Sequence, residues 1–131
     1  MSQWVTKRQE VLKDVNETTL ERALADMGFH LDARKIIENS WGSDDVDRGL
    51  TQGTKQLPLG FSFVEEEGKK RAELKGDFFM TGLRENTFIN EVAQQYQKHN
   101  ISDQLQNQGW NIDNVSMNEE EEIVIDAYQW A

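Results

Sequence analysis

Hydrophobic positions repeat with two different spacings along this chain, and the places where the spacing changes predict its elements. Residues 2–11 carry Trp4, Val5 and Val11 without a helical stripe, which predicts a first strand. Leu20, Ala23, Leu24 and Met27 then fall at i, i+3, i+4 and i+7, the stripe of an amphipathic helix. Asn16 or Thr18 can cap its start, and Gly28 suits the left-handed residue after its end. Residues 29–32 begin a strand that residues 33–40 continue, with Ile36 and Ile37 supplying β-branched bulk. Residues 39–56 are polar and punctuated by Gly42, Gly49 and Gly53, which predicts a long surface loop. Residues 59–66 alternate Leu59, Phe61 and Phe63 on one face. Glu67-Gly68 signals a turn, and residues 69–74 pair back as a hairpin. The short apolar stretch 76–82 closes at Gly82.

A second helical pattern spans 87–108, with Phe88, Ile89, Val92, Ala93 and Tyr96 facing the core. It restarts at Ile101 and Leu105 after His99-Asn100, so a break near residue 100 is expected. Strands follow at 109–115 and 122–128, joined by an exposed turn holding Asn118, Glu119, Glu120 and Glu121. In the last strand Ile123 and Ile125 take one face and Val124 and Asp126 the other. Residues 24–32 and 105–113 share the pattern Leu-x-x-x-Gly-aromatic-polar-aliphatic-Asp. Each is a helix exit through glycine into a strand, either an internal βα repeat or two answers to one capping problem. The expected architecture is one α+β domain over residues 1–131. A single, mostly antiparallel sheet of about five or six strands would carry two principal helices on one face.

Composition narrows the function. The 131 residues carry 14 Lys+Arg against 24 Asp+Glu, a formal net charge of -10, which argues against a direct nucleic-acid binder. The absence of Cys excludes disulfides, thiolate metal sites and cysteine nucleophiles. No apolar run approaches the roughly 18 residues of a membrane span, and no signal-peptide h-region is visible, so a cytoplasmic protein is expected. His30 reads as a sheet-face residue and His99 as one near a helix C-terminus; neither stands at ligand spacing. Asp44, Asp45 and Asp47 resemble a calcium loop only faintly, since its sixth and twelfth positions are Gly49 and Lys55 and the closing Glu is missing. No serine lies in a Gly-x-Ser-x-Gly elbow and no phosphate-cradling glycine loop occurs. Lys69, Lys70, Arg71 and Lys75 face Glu65, Glu66 and Glu67 across the predicted turn, as cross-strand ion pairs would.

The order of features resembles the hypothetical-chloroplast-reading-frame-thirty-five family, a domain of unknown function of chloroplasts and cyanobacteria. The likeness rests on Met1-Ser2-Gln3-Trp4, on LERALADMGF from Leu20, on Leu59-Gly60-Phe61, on FINEVAQQY from Phe88 and on Gln108-Gly109-Trp110. Gln3 stands where the family has His. The resemblance implies a small α+β fold and no carried-over activity. Members often occur near AAA-type ATPases, which implies a partner role, and a plastid member would sit in the chloroplast stroma.

Charge is the most informative functional feature. After Lys98 there is no Lys or Arg, while Asp103, Asp113, Glu119, Glu120, Glu121, Glu122 and Asp126 follow. A uniformly negative surface repels nucleic acid and attracts basic protein patches. Of the four tryptophans, Trp4 and Trp110 are expected in the core, and Trp41 and Trp130 at the surface, where Trp is enriched at hot spots. The chain therefore reads as a non-enzymatic protein-binding adaptor or regulator, without cofactor or metal. Its contacts are expected through Trp41, Asp44, Asp45, Asp47, Glu119, Glu120, Glu121, Glu122 and Trp130 to a protein with a basic patch. The alternatives are an acidic mimic of nucleic acid that inhibits a nucleic-acid-binding protein, and a small-molecule-binding domain.

Overall fold

A computed structural model describes residues 4–8, 12–39, 42–79, 81–120 and 122–129. Its elements run β1 (Trp4–Arg8), α1 (Glu17–Asp26), β2 (Phe29–Asp32), β3 (Ile36–Asn39), β4 (Gly42–Asp45), β5 (Arg48–Gln52), β6 (Lys55–Glu66), β7 (Lys69–Asp77), α2 (Glu85–Asn107), β8 (Asn111–Met117) and β9 (Ile123–Tyr128). The α+β class, the two helices and the antiparallel pairing are as expected. The single sheet is not. Nine strands among the described residues divide into a five-stranded sheet in the order β1-β7-β6-β5-β2 and two hairpins, β3–β4 and β8–β9.

The β6–β7 hairpin is the frame. Glu66 pairs with Lys69 across a two-residue turn in which Glu67 and Gly68 have φ of 52° and 78°. Positive φ at both central residues is the turn whose twist matches the strands it joins. Leu59 and Phe61 on β6 and Ala72 and Leu74 on β7 are buried. They share one core with Leu20 and Leu24 of α1 and Phe88, Ile89, Val92 and Tyr96 of α2. Leu50 and Phe29 belong to it too, and the Phe29 and Phe88 rings meet edge to face, 4.9 Å between centroids. Pro58 lies inside β6, where Leu50 alone of β5 spans the register between Gly49↔Gly60 and Thr51↔Gln56. A bulge is where a strand tolerates a residue with no N–H to donate.

The start of α1 and the ends of both helices have local causes. The Asn16 side chain accepts from Thr19 N at 3.1 Å and so caps α1, while its own N–H donates to the Tyr96 hydroxyl at 2.9 Å. The start of one helix is thereby tied to the middle of the other. Gly28 and Gly109, with φ of 86° and 88°, end the two helices alike. The echo stops there: Phe29 enters the five-stranded sheet, whereas Trp110 leads into the separate β8–β9 hairpin. The expectation that the two exits feed one sheet is thereby corrected.

Three further corrections have clear causes. The expected loop 39–56 contains β4 and β5, with Val46 and Leu50 buried. Only two apolar side chains in that polar segment are needed to anchor it. A Cβ on Gly60 would lie 2.9 Å from Val46 Cγ1, so glycine there lets Val46 approach the sheet. Residues 33–40 do not prolong β2; the chain leaves the sheet and β3 pairs with β4, with Ile37 buried beside β6 and β7 and Ile36 54 % exposed. α2 runs unbroken through residue 100, because no Gly or Pro falls within its 23 residues and His99 is held by α1. No helix among the described residues is long and apolar enough to cross a membrane.

Candidate functional site

The acidic end of the chain forms an arm made of the second half of α2, the turn at Gly109 and the β8–β9 hairpin. Trp110 N donates to Leu105 O at 3.0 Å, folding the chain back over the end of the helix. β8 and β9 both pack on α2. Ile101, Leu105, Trp110, Ile112, Val115, Met117, Ile123, Ile125 and Ala127 are all apolar and all only half-buried. This contrasts with the main core, where Leu20, Leu24, Leu50, Leu59, Phe61 and Leu74 are at 0 % exposure. Trp110 is thus a half-covered residue and not the core residue expected. On the opposite face of β9, Val124 and Tyr128 are 40 % and 45 % exposed. The arm is an apolar layer that its own chain covers only in part.

Asn118 builds the arm's acidic tip. Its side-chain oxygen accepts from Glu120 N at 3.0 Å and Glu122 N at 2.9 Å, and its N–H donates to Glu122 O at 3.0 Å. Glu119, Glu120 and Glu122 are held together there, exposed. Asp113 and Asp126 are exposed on β8 and β9. Asp103 differs, because Arg22 of α1 donates to both of its carboxylate oxygens, at 2.7 and 3.4 Å.

The other expected contact residues lie elsewhere. Asp44 and Asp45 are on β4, and the Asp44 carboxylate accepts from Asp45 N at 2.9 Å. Asp47 is structural: its carboxylate accepts from Phe63 N at 2.6 Å and its carbonyl from Lys35 Nζ at 2.7 Å. Asp44 and Asp45 sit on the β3–β4 hairpin and Asp47 in the β4–β5 connection, whereas the acids of the Asn118 turn sit on the β8–β9 hairpin. Trp41, Glu121 and Trp130 lie outside the described residues, as does the side chain of Trp4. Among the described residues no group of three or more His, Asp or Glu could hold a metal ion.

Two polar clusters were not legible in the sequence. At the end of β2 the Asp32 carboxylate accepts from Arg34 Nε at 3.0 Å, Arg34 Nη2 at 2.9 Å and Thr51 Oγ1 at 2.7 Å. Burial alone pushes the Asp32 carboxyl up. The hydrogen bonds from Arg34 and Thr51, with the Arg34 charge, outweigh it and lower its pKa to about 2. Arg48 adds bonds to the Asp32 and Leu31 carbonyls and to Glu21. The second cluster joins the helices. Arg22 Nη2 donates to His99 Nδ1 at 3.1 Å, which leaves Nε2 as the donor to Asp26. His99 is therefore a mid-helix tether rather than the C-terminal residue expected. The Arg22 guanidinium is pushed up by its hydrogen bond to Asp103, against a smaller effect of burial. In both clusters the charged groups satisfy one another, the arrangement of a brace.

The expected cross-strand pairing is found for Arg71 and Glu66, at 3.2 Å; Lys70 turns to Glu17 on α1, also at 3.2 Å. A surface cavity of about 690 Å³ lies beside this hairpin, lined by Lys13, Glu66, Glu67, Lys69 and Arg71. The described residues that line it are all charged, unlike the mainly apolar lining of an ordinary small-ligand pocket. No family model matches the chain, and no curated protein and no solved structure matches it either.

Proposed function

We propose that this chain is a non-catalytic protein-binding module, an adaptor or regulator, whose docking surface is the acidic arm formed by α2, β8 and β9. The observation that carries the reading is that no apolar side chain described from Ile101 to Ala127 is fully buried, nine being half-buried and Val124 exposed, in a stretch whose charges are all negative. Incompletely covered apolar surface bounded by charge is the composition of a protein interface. The matching partner is a protein surface with an apolar centre and a basic rim, attracted over a distance by the arm's field. Val124 and Tyr128 offer the exposed anchors, and Glu119, Glu120 and Glu122 the steering charge. In this reading the chain is a divergent member of the family it resembles, and an ATPase assembly is one setting for the partner.

The test is affinity capture from the native host with the intact chain and two variants. Val124→Ser with Tyr128→Ser removes the anchors without touching the core. Asp44→Lys with Asp45→Lys changes charge on the other hairpin. A partner retained by the second variant, lost by the first and weakened by added salt is the expected result. Equal capture by all three overturns the reading.

A further inference from the structure

We infer that the arm binds its partner by strand addition at the outer edge of β9, taking an extended segment in which basic and apolar residues alternate. This rests on the protein-binding reading above and specifies its mode. A strand edge presents unpaired N–H and C=O groups, and proteins blunt such edges with short strands, charges or bulges. The other edges here are blunted. β1 ends in Lys7 and Arg8, β2 has four residues and ends in Asp32, β3 has four residues with Glu38 among them, and β4 has four residues, two of them Asp44 and Asp45. β8 carries a bulge, since the pairing shifts between Ile112 and Asn114 and leaves Asp113 as the extra residue.

β9 is neither short nor bulged, and its single charge, Asp126, is one that a basic segment would match. It is six residues, IVIDAY, with one charge, and among the described residues only β8 pairs with it. The side chains of Ile123, Ile125 and Ala127 are half-buried while Val124, Asp126 and Tyr128 are exposed. α2 therefore packs on a face of the hairpin, and among the described residues no strand pairs with its outer edge at β9. The polarity of that edge follows from the ladder. Asn118 N donates to Glu122 O, so residues 122, 124 and 126 turn their backbone groups to β8, and those of Ile123, Ile125 and Ala127 point outward.

Charge decides the occupant. A second copy of this chain would set Glu122 and Asp126 beside their own equivalents under a net charge of -10 per chain, and nothing after Lys98 could offset them. An added strand of alternating Lys and apolar residues places its ammonium groups beside Asp126 and the Asn118 turn. Its apolar residues then extend the half-covered layer over α2. Main-chain hydrogen bonds supply the affinity and alternate side chains the specificity, as in other strand-addition complexes.

The probe is a short peptide alternating Val and Lys, with a Val–Glu peptide of equal length as control, followed by amide NMR titration of the full chain. Saturable shifts centred on Ile123, Ile125 and Ala127 with the first peptide and none with the second are expected. Ala127→Pro removes an outward N–H and no bond to β8, so it should weaken the Val–Lys peptide about tenfold while leaving the melting temperature unchanged. Should that variant misfold, Ile125 methylated on its backbone nitrogen by semisynthesis serves the same purpose. Shifts centred on another edge, self-association through β9, or undiminished binding by both edge-blocked proteins overturns the inference. A host partner that survives Ala127→Pro but is lost with Val124→Ser and Tyr128→Ser shows that the arm binds in another mode. A partner that survives both shows that the protein-binding reading itself has failed.

Discussion

Glu67 occupies a conformation that costs any L-residue with a Cβ, and it does so because the β6–β7 turn requires positive φ at both of its central positions. Asparagine adopts that conformation more readily. Glu67→Asn should therefore stabilise the fold by about 0.5–1 kcal/mol in chemical denaturation. Asp32 sets a second expectation. Its pKa falls from 3.8 to about 2 on folding, so between these values the unfolded chain holds more protons and stability rises with pH. The contribution is complete above about pH 4 and disappears as pH falls toward about 2. Asp32→Asn should cost about 1–3 kcal/mol at neutral pH, and its melting temperature should converge on that of the parent as pH falls through that window. The Asp-x-Arg spacing is visible in the chain, but Thr51, the third member, arrives only through the β2–β5 pairing of His30 with it and of Asp32 with Gly49.

Elements with full cores and elements with partial ones should differ in their opening. β6 and β7 contribute residues at 0 % exposure, whereas β8 and β9 contribute none that is fully buried. Amide hydrogen exchange should protect β7 more strongly than β9, because local opening is easiest where apolar contacts are few. Asn118→Ala removes the acceptor that holds the N–H groups of Glu120 and Glu122. It should speed exchange throughout β8 and β9 and leave β6 and β7 unchanged, at a local cost of about 1 kcal/mol. These two hairpins are also the elements most legible beforehand. Each is a pair of chain neighbours whose period-two alternation and turn residues lie within one short window. The unbroken α2 was harder to read, because the apparent restart at Ile101 reflects a change in what covers the helix, from the main sheet to the β8–β9 hairpin.

Taken as one molecule, the chain is a well-filled sheet-and-helix body with an acidic arm attached through α2. Deleting residues 41–53, the stretch that looked like a loop, would remove β4, β5 and the buried Val46 and Leu50. The deletion should abolish the cooperative thermal transition rather than leave a folded scaffold with altered binding. Raised ionic strength should slow association of the arm with its partner more than it speeds dissociation, since exposed charge acts mainly on encounter.

What the chain declares alone is local. Two helices, their glycine exits, the Glu67-Gly68 hairpin, the closing β8–β9 hairpin and the one-signed charge after Lys98 follow from periodicity, caps and composition over short windows. What needed the folded molecule is the partition of the strands into a larger sheet and separate hairpins, the burial of Leu50 in a polar segment and the half-covered layer of the arm. The open edge of β9 also belongs there. Periodicity tells which face of an element is apolar, but coverage is settled by residues far away in the chain. Those contacts follow from how the strands pair and where the helices come to rest.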